Sequence, residues 1–158
     1  MKKYFALWLV LCSAVLADEP LKVGDLLPSF KAKDQHGMEF ELKPGLQRMF
    51  VSFDMSTGKE ANAQFAAKGP DFLPSAHAIF VSNIYGMPGI GRVFALPKMR
   101  KYPHRIILAD SENLLARYPQ QKDRVTVLSL DGNLKITEVS FWNPKDGPPA
   151  DAVTPVKN

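Results

Sequence analysis

Apolar side chains fall in short runs along this chain, and the character of the runs changes from one to the next. Arg48 to Phe53 (RMFVSF) and Ala78 to Ser82 (AIFVS) are compact, β-branched and aromatic, which predicts buried strands. Between them Thr57 to Lys68 reads as a helix, stopped by Gly69-Pro70. Thr57 and Glu60 form a T-x-x-E capping box, so the helix is expected to start there. A glycine-rich loop, YGMPGIGR, precedes a second helix from about Arg92 to Lys101, with Pro97 as a kink. Arg105 to Ala109 (RIILA) reads as a strand, and Asp110 or Ser111 as the cap of a short helix ending at Tyr118-Pro119. Val125 to Leu130 and Leu134 to Phe141 alternate around Asp131-Gly132, the strongest hairpin signal in the chain. Upstream, the loop LKVGDLLPSF leads to a DQHG turn and the alternating segment Met38 to Leu42, a hairpin in outline.

The order strand, helix, strand, helix, hairpin predicts an α/β fold: a mixed sheet with helices on its faces and a C-terminal β-hairpin. A last helix should follow that hairpin. Asn143 to Asn158 instead holds four prolines and predicts a flexible tail, so the terminal helix is missing.

Composition narrows the picture at the N-terminus. A length of 158 residues, 46% of them apolar, bounds the chain to one domain. Its first segment, MKKYFALWLVLCSAVLA, has Lys2 and Lys3, an apolar run and a small-residue exit at Val15 and Ala17. We therefore expect residues 1–17 to be a signal peptide, residues 18–142 a domain exported to a bacterial periplasm, and residues 143–158 the tail. No membrane segment is expected after cleavage. The single cysteine, Cys12, lies inside the signal, and Leu11 before it disfavours a lipid anchor. A mature chain without thiol excludes disulfides, thiol redox chemistry and cysteine nucleophiles. The net charge of +4 falls by two with the signal, and only KMRKYPHR (Lys98 to Arg105) is locally basic. That stretch reads as a solvated helix end, and nucleic acid is not expected as a partner.

Several stretches together resemble a known family: LKVGDLLPSF, KDQHGMEFEL, RMFVSFDMSTGKEANAQF and VTVLSLDGNLKI. They are similar to the thioredoxin-like superfamily in its peroxiredoxin and cytochrome-maturation branch, over nearly the whole mature chain. The resemblance implies that reactive cysteines would lie in Asp54 to Ala61 (DMSTGKEA), where Gly58 and Ala61 stand instead. It also implies a cis-proline before the final hairpin, a place that falls near Asp123 or Arg124. Both signatures are absent, so thiol activity is not carried over. STGKEANA (Ser56 to Ala63), the Pro88 to Gly91 loop and Lys101-Tyr102-Pro103 resemble exported YtfJ-type proteins more closely, apart from the terminal helix.

If strands 48–53 and 78–82 are parallel neighbours, the loops at their carboxyl ends lie side by side, where open α/β sheets bind ligands. The candidate ligand-binding residues are therefore Asp54, Ser56, Thr57, Gly58, Lys59, Glu60, Asn83, Gly89, Gly91 and Arg92. A helix start with basic and hydroxyl side chains suits an anion or a peptide, although the same residues also serve as ordinary caps and turns. No cofactor or metal is expected. The glycines match no nucleotide loop, His36, His77 and His104 have no ligand spacing, and no nucleophile elbow accompanies Ser56. Phe141 and Trp142 are candidates for a partner or self-association surface, left bare by the missing helix unless the tail covers them. The favoured function is a redox-inactive binding or accessory module with a peptide or protein partner in the cell envelope. The alternative is a non-thiol enzyme acting on a small anionic substrate at the same loops.

Overall fold

The computed structural model describes residues 19–149, so the expected signal peptide and the end of the tail lie outside the described residues. The elements run β1 (Lys31–Asp34), β2 (Glu39–Glu41), β3 (Arg48–Ser52), α1 (Met55–Lys68), α2 (Phe72–Ser75), β4 (Ala78–Asn83), α3 (Gly89–Met99), β5 (Ile106–Ala109), β6 (Val125–Leu130) and β7 (Ile136–Trp142). One seven-stranded mixed sheet results, in the order β2-β1-β5-β4-β3-β6-β7. Its centre is the parallel trio β3, β4 and β5, in register at Ser52↔Ser82 and Asn83↔Ala109. Parallel neighbours need crossovers, and α1 with α2, then α3, supply them.

Strands covered on both faces need apolar residues at successive positions, and β3 provides them as Met49, Phe50 and Val51, none of them exposed to solvent. Phe50, Phe80 and Ile106 face the helices, where α1 contributes Ala61 and Phe65 and α3 contributes Met99. Met49, Val51, Val81 and Ile107 face the other way. No helix covers that second face among the described residues. Leu21 and Leu27 from the N-terminal segment, with Leu115 and Tyr118, cover it instead.

Three expectations need correction. α1 begins before Thr57, at Met55, because Asp54 rather than Thr57 is the cap. The helix expected from Asp110 or Ser111 to Tyr118 does not form, and the segment is a series of turns. There the Arg117 carbonyl accepts from the Leu21 N–H, the Arg117 Nε donates to the Glu19 carbonyl, and Leu115 and Tyr118 are buried beside Leu21, so packing against the N-terminal segment sets the path of this stretch. Finally, residues 143–149 fold back, which moves the edge of the packed domain beyond 142. A 3-10 turn at Pro144–Asp146 lies on α1, with Pro144 buried and its carbonyl accepting from Gln64 Nε2.

Phe65 is the centre of the helix face. Its ring lies 5.1 Å from both Phe50 and Phe80, 5.5 Å from Trp142 and 5.6 Å from His104. Truncation would remove a fully buried ring from this aromatic cluster and leave a cavity. Phe65→Ala is expected to cost about 3–5 kcal/mol, read by chemical denaturation.

Candidate functional site

The chain leaves β3 through Asp54, whose extended backbone lets its carboxylate turn back on the first turn of α1. Oδ1 accepts from the Thr57 N–H at 2.8 Å and the Ser56 hydroxyl at 2.7 Å, and Oδ2 accepts from the Thr57 hydroxyl at 2.7 Å. Partial burial pushes the Asp54 carboxyl up, but these hydrogen bonds outweigh it and hold the pKa below its ordinary value. Both hydroxyls at the helix start are thus occupied within the cap. Glu60 makes no hydrogen bond back to it, so the expected capping box is absent.

Gly58 sits one turn into α1, buried, where the helix comes down on the sheet. A Cβ there would stand 3.1 Å from Ser52 Oγ and 3.5 Å from Ser82 Oγ. Ser52 donates to Ser82 at 3.3 Å, a polar floor across the carboxyl ends of β3 and β4. Above that floor a cleft of about 300 Å³ opens between α1 and α3. Gly58, Lys59, Asn83 and Gly91 all line it, so four of the predicted residues are brought together. Asn83 also accepts from the Tyr85 N–H, turning the chain away from β4.

The other candidates lie elsewhere. Arg92 does not join Lys59. Its guanidinium pairs with Asp110 at 2.7 and 2.6 Å and donates to the carbonyls of Met87 and Ile84, fastening the loop to the end of β5. Gly89 is exposed at the start of α3 and is not part of the cleft. Trp142 turns inward instead of forming a partner surface. It packs on Phe50 and Phe65 and donates to the Gly147 carbonyl, and Phe141 alone of the pair is exposed. Residues 98–105 are more than a solvated helix end, because Arg100 and Arg105 bind groups on and beside β1 and His104 is buried. Where the resemblance implied a cis-proline, Asp123 has a left-handed φ of 57°, and no peptide bond among the described residues is cis.

Sequence reasoning missed most of the cleft, including Met55, Asn62, Phe94, Lys98 and Tyr102. It also missed the buried pair beneath. His104 Nε2 lies 2.9 Å from Asn62 Oδ1, which can only accept, so the neutral ring carries its proton on Nε2. Nδ1 is buried with no partner, and Phe65, Phe80 and Tyr102 surround the ring. Burial lowers the His104 pKa to about 4. Among the described residues no group of three or more His, Cys, Asp or Glu could hold a metal ion, and no helix is long and apolar enough to cross a membrane.

No protein-family model matches this chain, and no curated protein matches it. Solved structures do. A reduced 2-Cys peroxiredoxin of Plasmodium vivax superposes over 85% of this chain and 79% of its own, at 15% identity and a TM-score of 0.55. The thioredoxin domain of a thiol-disulfide oxidoreductase from Bacteroides vulgatus covers 78% and 92%, at 14% identity and 0.54. A peroxiredoxin-like protein from Aquifex aeolicus covers 85% and 84%, at 13% and 0.54. The fold is thioredoxin-like. At such identities the likeness carries architecture and nothing of activity. Laid on that architecture, the cleft of this thioredoxin-like domain stands at the carboxyl ends of the parallel strands.

The neutral His104 makes stability depend on pH. The unfolded imidazole takes a proton near 6.5 and the folded one near 4, so stability is full above about pH 7 and falls as pH drops through that window. The loss is expected to reach about 3 kcal/mol near pH 4. Denaturation between pH 7.5 and about 4 measures it, and His104→Phe should flatten the slope.

Proposed function

We propose that this chain is an exported, redox-inactive thioredoxin-like module of the YtfJ type that binds a peptide or protein partner through the cleft between α1 and α3. The observation that carries the reading is the occupant of the helix start. Where thiol enzymes of this fold would place sulfur, this chain has Gly58, buried against Ser52 and Ser82, and an apolar-walled cleft opens beside it. The only cysteine of the sequence is Cys12, within the expected signal peptide that would direct the domain to the periplasm.

The cleft is concave and mainly apolar, with a few fixed polar groups on its floor, which is the usual make-up of a site that holds a side chain. Lys59 and Lys98 stand on opposite walls and add positive charge. A hydrolytic or transfer enzyme at these loops is less well supported. Ser56 and Thr57 both donate to Asp54, and Arg92 is committed to Asp110, so the α1 start offers an anionic substrate neither a free hydroxyl nor that guanidinium.

A photoreactive residue at Lys59, irradiated in envelope extracts, is expected to yield one discrete conjugate. The same residue at Thr137, at the opposite end of the sheet, should yield none. Equal labelling from both positions, or none from Lys59, would overturn the binding reading. Turnover of peroxide or of insulin disulfides above background would overturn the redox reading.

A further inference from the structure

α3 faces the wrong way for its sequence. Ile90, Val93, Phe94 and Pro97 follow the i, i+3, i+4, i+7 spacing that normally marks the buried stripe of a helix. In the structure that stripe points outward. Ile90 is 74% exposed, Val93 68% and Phe94 65%, while the core takes Leu96 and Met99 from the other side. Met55, also exposed, lines the adjoining cleft with Phe94 and extends the apolar surface there. Contiguous apolar surface of this kind on a folded domain marks a place where something docks.

The charges around it restrict what docks. From Phe72 to Ala109 the sequence has no aspartate or glutamate. Lys98 and Lys101 follow the apolar stripe on the exposed side of α3 and its end, and Lys59 faces it across the cleft. Among the described residues none of the three lysines makes an ion pair with a carboxylate. The positive field is therefore uncompensated within the described chain. A second copy docking here through a two-fold axis would bring like charges together. A bilayer would meet the stripe but could not fill the adjoining cleft of about 300 Å³, whose floor carries Asn62, Ser82 and Asn83.

We infer that the outer face of α3, with the α1–α3 cleft, is a docking surface for an acidic, amphipathic peptide segment of a partner protein. Apolar side chains of the segment cover Ile90, Val93 and Phe94, one of them enters the cleft, and carboxylates flanking it meet Lys59, Lys98 and Lys101. This rests on the binding reading above and adds the chemistry of the partner.

The test uses labelled synthetic peptides and fluorescence anisotropy. A peptide of phenylalanine and leucine set among glutamates is expected to bind. Replacing its glutamates by lysines, or its apolar residues by serines, should abolish binding. Phe94→Ser and Lys98→Glu, both at exposed positions that leave the melting curve unchanged, should each weaken it about tenfold or more. Raising the salt concentration should weaken it further. Equal binding of the lysine peptide, or no binding of the glutamate peptide, overturns the proposal. So does binding to phosphatidylglycerol vesicles that Phe94→Ser and Lys98→Glu abolish, because a lipid surface would then be the occupant. If the Lys59 conjugate persists in the Phe94→Ser and Lys98→Glu proteins, this inference fails while the binding reading stands.

Discussion

The position of α1 on the sheet rests on one aromatic side chain. Phe65 meets Phe50 and Phe80 on β3 and β4, Phe72 on α2, His104 before β5 and Trp142 at the end of β7. Dispersion and apolar burial have no direction of their own, so a helix held by them alone could slide or roll. Rings packed edge to face or at a tilt on a central ring restrict that freedom, because such contacts favour particular angles and separations. With the helix axis fixed, Gly58 is set against Ser52 and Ser82, Asn62 is brought to His104, and one wall of the cleft is in place.

Polar groups enter this core only under tight terms. His104 is kept neutral because a charged imidazole among Phe65, Phe80 and Tyr102 would lose its hydration, and Asn62 gives one nitrogen an acceptor. Gln35 supports the same corner. Its amide donates to the His104 carbonyl and accepts from the Ile106 N–H, which closes the backbone where β5 begins. Asp34 next to it is buried and bound to Arg105 at 2.9 Å, while Arg105 lies over the Phe40 ring. The turn between β1 and β2 is thereby fixed to the segment leading out of α3. The wall of the cleft formed by α3 has a rigid support on its far side.

Much of the frame was legible from the sequence because apolar content and strand burial coincide there. RMFVSF, AIFVS and VTVLSL fell within one residue of their observed limits; the last hairpin turns after Leu130 as expected, but through residues 131–135, with Leu134 rather than Gly132 left-handed and Asp131 Oδ1 accepting from the Asn133 and Lys135 N–H groups. The misses share one cause, competition for the same groups from partners that the local pattern does not single out. Thr57 looked like a cap until Asp54 took both its N–H and its hydroxyl. Leu115 and Tyr118 looked helical, but they cover a sheet face jointly with Leu21 and Leu27. Trp142 could not be assigned a face by alternation alone, and α1 with the Gly147 carbonyl decided it. The cleft was half visible: glycines and Lys59 at the strand ends could be read, whereas the outward stripe on α3 breaks the rule that such spacing faces a core.

The short distance above Gly58 has a meaning beyond packing. In a helix seated 3.1 Å from Ser52 Oγ at the position of a Cβ, any larger residue has to displace its neighbour before it can be accommodated. A side chain at this position therefore requires the Ser52 hydroxyl to give by a few tenths of an ångström. The seat of α1 on the strand ends is thus set by the size of this one residue: the absence of a side chain at Gly58 is what lets the helix come down to the Ser52–Ser82 floor.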